Sequence, residues 1–214
     1  FARPDSRVFD HSVHVARERM GAALAKDDPV RTDMVIPVPD SGMSAALGYA
    51  KAAGLSLELG FVRNHYAGRS FIQPSRSARE LGVRMKLHPI PEVVAGRRVT
   101  LVDDSLVRGT TAGIIVKLLR EAGAREIHLR LSAPELKHPC FFGIDIPDRA
   151  SLVSNRLDPE RIAESIGADS VRFLPLAALL ACFEPDNGFC HACFSGRYPV
   201  AVPTMEDTHA AAKL

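Results

Sequence analysis

A short β-type run, Val99-Thr100-Leu101-Val102, ends in two adjacent acids, Asp103-Asp104. Ser105-Leu106-Val107-Arg108-Gly109-Thr110-Thr111 follow, and then a stretch of helix formers from Ala112. This order dictates strand, polar loop, helix, the repeating unit of a doubly wound α/β fold. It also dictates a chemistry. The loop amides and the helix N-terminus form an anion site. Ser105, Thr110 and Thr111 add hydroxyl donors, and Gly109 lets the backbone approach a phosphate. Asp103 and Asp104 stand one sugar-length away, as acceptors for ribose hydroxyls or a hydrated magnesium ion. An isolated acid pair would merely cap a turn, so the strand before it and the hydroxyl-rich loop after it carry the inference.

The same unit occurs earlier. Met34-Val35-Ile36-Pro37-Val38 reads as a buried strand, Pro39-Asp40-Ser41-Gly42 as a turn, and residues 43–53 as a helix. A helix is predicted over residues 10–26, capped by Asp10, with Val13, Ala16, Met20 and Leu24 near one face. Residues 57–62 suit a strand, as do residues 127–131. A helix over residues 112–121 is closed by Gly123. Asp158-Pro159 starts another, ending near Gly167, and residues 174–182 suit a short apolar helix. Residues 63–91 are polar and basic, carrying Arg63, Arg69, Arg76, Arg79, Arg84 and Lys86 without a clear period. A long segment of this kind is commonly functional. The tail from Glu206 is polar and alanine-rich, with the character of a fraying terminus.

Bulk properties narrow the function. In 214 residues, 27 Lys and Arg against 25 Asp and Glu leave a net charge of +2, which argues against a nucleic-acid partner. No apolar run nears the ~20 residues that span a bilayer. The start lacks the pattern of a secretory signal, so the cytoplasm is expected. For the four cysteines, Cys140, Cys182, Cys190 and Cys193, disulfides are a poor first guess in that compartment. The Cys190-His191-Ala192-Cys193 spacing suits a metal or iron–sulfur site better. Zinc on those thiols with His191 is a lesser alternative. Cys182 reads as a core thiol on an apolar helix.

The segment Val-Asp-Asp-Ser-x-Val-Arg-Gly-Thr-Thr resembles the signature of type I phosphoribosyltransferases, in the form found in amidophosphoribosyltransferases. Further matches follow in the same order. They are residues 1–6 (Phe-Ala-Arg-Pro-Asp-Ser), 36–42 (Ile-Pro-Val-Pro-Asp-Ser-Gly), 68–74 (Gly-Arg-Ser-Phe-Ile-Gln-Pro), 139–145 (Pro-Cys-Phe-Phe-Gly-Ile-Asp) and 167–170 (Gly-Ala-Asp-Ser). The resemblance runs from residue 1 to about 199. It implies an α/β type I phosphoribosyltransferase fold with a mostly parallel central sheet flanked by helices. It further implies a core over residues 1–150, a cysteine-containing helical extension over residues 151–214, and a glutaminase domain that this sequence lacks.

The resemblance also implies roles. Asp103 and Asp104 would hold ribose hydroxyls. Ser105, Val107, Arg108, Gly109, Thr110 and Thr111 would cradle the 5′-phosphate. Asp40, Ser41 and Gly42 would form the pyrophosphate loop, with Ser41, Asp103 and Asp104 around Mg2+. Residues 63–91 would be the catalytic loop, closing over the substrate, with Arg69, Arg84 and Lys86 as phosphate contacts; Arg76 stands where relatives are expected to have glutamine. Cys140, Cys190 and Cys193 would hold a 4Fe-4S cluster whose fourth ligand lies upstream of this chain. The implied reaction takes phosphoribosyl pyrophosphate and ammonia, drawn from glutamine in the intact enzyme, to 5-phosphoribosylamine and pyrophosphate, opening purine synthesis. Purine nucleotides are the implied feedback inhibitors, and a homo-oligomer the implied assembly. The competing readings are a nucleobase phosphoribosyltransferase and a regulatory module of the same fold that binds phosphoribosyl pyrophosphate without catalysis.

Overall fold

The computed structural model describes residues 2–64, 66, 76–146, 148–183 and 188–202. Arg69 with the whole 68–74 match and the tail from Glu206 lie outside the described residues. Two short strands, β1 (Arg7–Val8) and β2 (His11–Ser12), form an antiparallel hairpin, followed by α1 (Val13–Asp27). The hairpin overturns the expected helix start. Asp10 occupies its turn at φ 61°, and Ser12 caps α1 instead, its hydroxyl accepting from the Val15 amide.

The central sheet contains β3 (Met34–Pro37), β6 (Arg98–Asp103), β7 (Glu126–Leu131) and β8 (Ser170–Phe173), adjacent in that order and all parallel. Parallel strands covered on both faces read as continuous apolar runs, and all four residues of β3 are buried. Between β3 and β6 lie α2 (Met43–Ala53), β4 (Phe61–Arg63), α3 (Arg76–Lys86), β5 (Leu87–Pro89) and α4 (Pro91–Val94). After β6 come α5 (Thr110–Glu121), α6 (Pro159–Ile166), α7 (Leu176–Ala181) and α8 (Ala192–Ser195).

Alternate side chains of the sheet feed two cores. Val99, Leu101, Ile127, Leu129 and Leu131 pack with Ile115 and Leu119 of α5 and Ile162 of α6. Val35 and Val102 pack on the other face, against Leu24 of α1 and Ala45, Ala46 and Tyr49 of α2. Asp158 caps α6, Pro159 opens it, and Gly167 closes it at φ 77°, as the sequence predicts. Gly123, at φ 94°, likewise follows the end of α5. Residues beyond 150 therefore supply α6 and the fourth strand to the sheet rather than lying apart from it.

Two expectations need correcting between residues 57 and 91. Leu57 makes only an isolated bridge to Val35, and the strand is β4, displaced toward Arg63. The chain crosses Ile36 at Gly60 and pairs antiparallel with β5, Phe61 opposite Pro89. The basic segment is also not without structure, since α3 occupies residues 76–86. Buried Val83 and a two-pronged ion pair from Arg84 to Glu121 hold α3 against α5, contacts that local periodicity does not announce.

Candidate active site

In a parallel sheet, all loops leaving the carboxyl ends of strands emerge on one edge, and ligands bind there. Pro37 pairs with Val102, so the loop after β3 and the loop after β6 begin side by side. Their contact is direct. The Val38 amide donates to the Val102 carbonyl at 2.8 Å, and the Ser41 hydroxyl donates to Asp103 Oδ1 at 2.7 Å. Ser41 is thereby brought against Asp103, with Asp40 and Gly42 beside it on the same loop. Gly42 is buried where a Cβ would overlap the Val102 carbonyl oxygen, so close approach demands glycine here. The Pro39–Asp40 peptide is cis.

The acids differ in environment. Asp103 Oδ1 also accepts from the Asp104 amide at 2.8 Å, while Asp104 accepts from the Ser105 hydroxyl at 2.9 Å. Loss of water, and then the neighbouring Asp104 charge, push the Asp103 carboxyl up to about 7, against the lowering effect of its hydrogen bonds from Ser41 and the Asp104 amide. Such a carboxyl is poised to gain from a cation or from hydroxyl donors.

Beyond the acids the chain turns through Leu106, whose side chain is buried and pins the loop to the core. Val107 accepts from the Val153 amide at 2.9 Å. Gly109 precedes α5 at φ 80°, a left-handed backbone that favours glycine. The main-chain amides of residues 105–111 have no hydrogen-bond acceptor among the described residues. Those of Thr110 and Thr111 open α5, and the hydroxyls of Ser105, Thr110 and Thr111 lie on the same stretch. Arg108 and Thr111 are exposed. Amide donors at a helix N-terminus, beside two acids, suit one end of a phosphorylated sugar.

The segment assigned to the catalytic loop begins at the β4–β5 ribbon. Lys86 ends α3, and its carbonyl accepts from the Asn64 amide at 2.7 Å. Arg84 forks onto Glu121 at 2.8 and 3.0 Å, with Glu80 also near. Arg63 of β4 forms an ion pair with Asp40, which sequence reasoning left unassigned. No short spacing announces a pair 23 positions apart.

Cys140 and Cys190 are near enough to Cys193 for their charge to act on its thiol. Burial first, then charge on Cys140 and Cys190, push the Cys193 thiol up to about 11. The Phe142 amide donates to Cys140 Sγ at 3.4 Å, and the amides of Lys137 and His138 both donate to the Cys193 carbonyl. Among the described residues, no three His, Cys, Asp or Glu side chains are gathered closely enough to hold a metal ion as they stand. Cys182 is apart from them, half-buried, its Sγ donating to the Ala178 carbonyl. Among the described residues no helix is long and apolar enough to cross a membrane.

No family model matches the chain. Among individual proteins it is 48% identical over 209 residues to a chloroplastic amidophosphoribosyltransferase of Vigna aconitifolia, covering 97% of this chain and 43% of that protein. It is 50% identical over 204 residues to the amidophosphoribosyltransferase of Synechocystis, covering 95% of this chain and 41% of that protein. The solved glutamine phosphoribosylpyrophosphate amidotransferase of B. subtilis, complexed with ADP and GMP, superposes with a TM-score of 0.85 at 48% identity, over 96% of this chain and 46% of that one. The chain thus spans less than half the length of these relatives.

Proposed function

We propose, for a chain that belongs to the amidophosphoribosyltransferase family and has its type I phosphoribosyltransferase fold, that the paired loops bind phosphoribosyl pyrophosphate and replace its pyrophosphate with ammonia. The observation that carries this reading is the row of amides over residues 105–111, without an acceptor among the described residues, beside Asp103, itself bonded to Ser41 of the facing loop. Amides and hydroxyls of Ser105, Val107, Arg108, Gly109, Thr110 and Thr111 take the 5′-phosphate. Asp103 and Asp104 accept from the ribose hydroxyls. Asp40, Ser41 and Gly42, at the start of α2, take the pyrophosphate.

The anomeric carbon then lies between the two loops. As the bond to pyrophosphate breaks, positive charge develops on the sugar ring, next to Asp103 and Asp104. Unprotonated ammonia adds to the opposite face, inverting the anomeric carbon, and loses a proton to give 5-phosphoribosylamine. The protein contributes position and charge. Ser41, Asp103 and Asp104 are oxygen donors suited to a hard cation, and the raised Asp103 carboxyl is the group such a charge would relieve. Mg2+, when bound, supplies charge neutralisation at the leaving pyrophosphate. Arg69, Arg84 and Lys86 are the cations that a closing 63–91 segment would bring to it, Arg84 only by leaving Glu121.

Cys140, Cys190 and Cys193 would hold an iron–sulfur cluster together with a fourth ligand outside this set. The effect of charge on Cys140 and Cys190 at the Cys193 thiol, and the Phe142 amide on Cys140, support that reading. Cytoplasmic location, homo-oligomeric assembly and inhibition by purine nucleotides belong to the same proposal.

Calorimetry with phosphoribosyl pyrophosphate and Mg2+, alongside amide exchange of residues 103–111, tests the site. Heat of binding and protection of that loop are expected, and neither appearing sinks the reading. With ammonia the chain is expected to release pyrophosphate; with glutamine as donor it is not. Glutamine-dependent turnover by this chain alone would refute the donor assignment.

A further inference from the structure

We infer that Arg63 is a positioning residue for the pyrophosphate loop, acting through Asp40 and tying that loop to the β4–β5 ribbon. The inference rests on the phosphoribosyl pyrophosphate reading above and adds a residue to it.

The loop after β3 presents a contradiction that Arg63 resolves. The amides of Asp40 and Ser41 have no acceptor among the described residues, and they precede α2, an 11-residue helix. That arrangement attracts an anion. Yet Asp40 places a carboxylate on the same loop, where it opposes any diphosphate. Its side chain is largely exposed, so burial does not neutralise it. The Arg63 guanidinium, on β4, pairs with this carboxylate and cancels its charge. Arg63 is itself held. Its strand is registered on β5, Arg63 opposite Leu87, and the Asn64 amide continues the ribbon to the Lys86 carbonyl.

The pair also spans a cleft of about 250 Å³ between Pro37, Pro39 and Met43 on the loop side and Leu59, Phe61 and Val62 on the ribbon side. Phe61 packs with Ile36 and Val38 in the core beneath this cleft, and the ion pair adds a polar contact across its rim. Through Arg63, the β4–β5 ribbon is joined to Asp40.

The test uses Arg63→Gln, Asp40→Asn, their combination, and Arg63→Lys in the full chain. The readouts are the dissociation constant for phosphoribosyl pyrophosphate with Mg2+ and the rate of ammonia-dependent pyrophosphate release. Arg63→Gln exposes one carboxylate to a ligand bearing at least two charges at ~6 Å, which at a water-like dielectric weakens binding about tenfold. Arg63→Lys keeps the charge and is expected to recover most of that affinity. In the Asp40→Asn background there is no carboxylate to neutralise, and Arg63→Gln is expected to change affinity less than about twofold. The saturated rate falls less than the affinity in each case. An equal loss from Arg63→Gln in both backgrounds would mean that Arg63 meets the ligand itself, and overturns the inference. Amide exchange of residues 38–43 is an independent reading. It accelerates in Arg63→Gln if the pair holds the loop, and unchanged exchange also overturns the proposal. A wild-type chain that binds no phosphoribosyl pyrophosphate defeats the functional reading first. Wild-type binding with an indifferent Arg63→Gln defeats only the role of Arg63.

Discussion

Gly42→Ala isolates the contact that brings the two loops together. A Cβ at Gly42 would overlap the Val102 carbonyl oxygen and lie 3.0 Å from its carbon and 3.1 Å from the Val38 nitrogen. All three are main-chain atoms, and oxygen and nitrogen are joined in the 2.8 Å bond that starts the loop. No side chain can rotate away, so relief requires the loop to leave β6. Overpacking of this kind costs roughly 1–3 kcal/mol, and loss of the hydrogen bond about 1 kcal/mol more. Reduced freedom of the unfolded chain returns roughly 0.4–1 kcal/mol. A net loss of about 1–3 kcal/mol is expected in urea unfolding. Catalysis suffers more, because a ~1 Å displacement of reacting groups can cost on the order of 100-fold in rate. Gly54→Ala is the control. It sits at φ 66° with no atom within 4 Å of its Cβ position, far from the loops in sequence and at the end of α2. Strain there costs ~1–2 kcal/mol, with the affinity for phosphoribosyl pyrophosphate unchanged. If Gly42→Ala kept wild-type stability and affinity, the argument that this glycine seats the loop would be wrong.

Two pH experiments have opposite signs. Asp103 has its folded value raised to about 7 from an ordinary 3.8, so its contribution to stability is full below about 3.8 and is lost as pH rises to about 7. Asp103→Asn removes that dependence. Its melting temperature should exceed the wild type at pH 8 and approach it at pH 4.5, while phosphoribosyl pyrophosphate binding is lost; a parallel pair of pH curves would refute the assignment. Asp33 is held down to about 2, chiefly by the Arg98 side chain and then by the Arg98 amide, where β3 and β6 begin. Its contribution is present above 3.8 and is lost as pH falls toward 2, so Asp33→Asn should flatten the acid limb of the melting curve and leave the alkaline limb in place.

What the sequence reveals about this site follows from where its parts lie along the chain. The loop proposed to hold phosphate is legible because Asp103 to Thr111 is contiguous and joins one strand to one helix. The facing loop is legible because a parallel sheet puts every such loop on the same edge, so Asp40 to Gly42 must meet it. Helix α3 is not legible, because Val83 and Arg84 find their partners on α5, and Glu121 is 37 positions away. The cap of α1 is misjudged for a related reason. The tight hairpin at Phe9 and Asp10 takes both residues to positive φ, which removes the acid and leaves the cap to Ser12. The Arg63–Asp40 pair needs the most. It exists only once the chain turns at Gly60, leaves the edge of β3 and registers β4 on β5. Chemistry carried by one segment shows itself in sequence, whereas chemistry that couples segments depends on packing. The coupling proposed for Arg63 and Asp40 therefore lies at the base of the ribbon, where sequence patterns are silent.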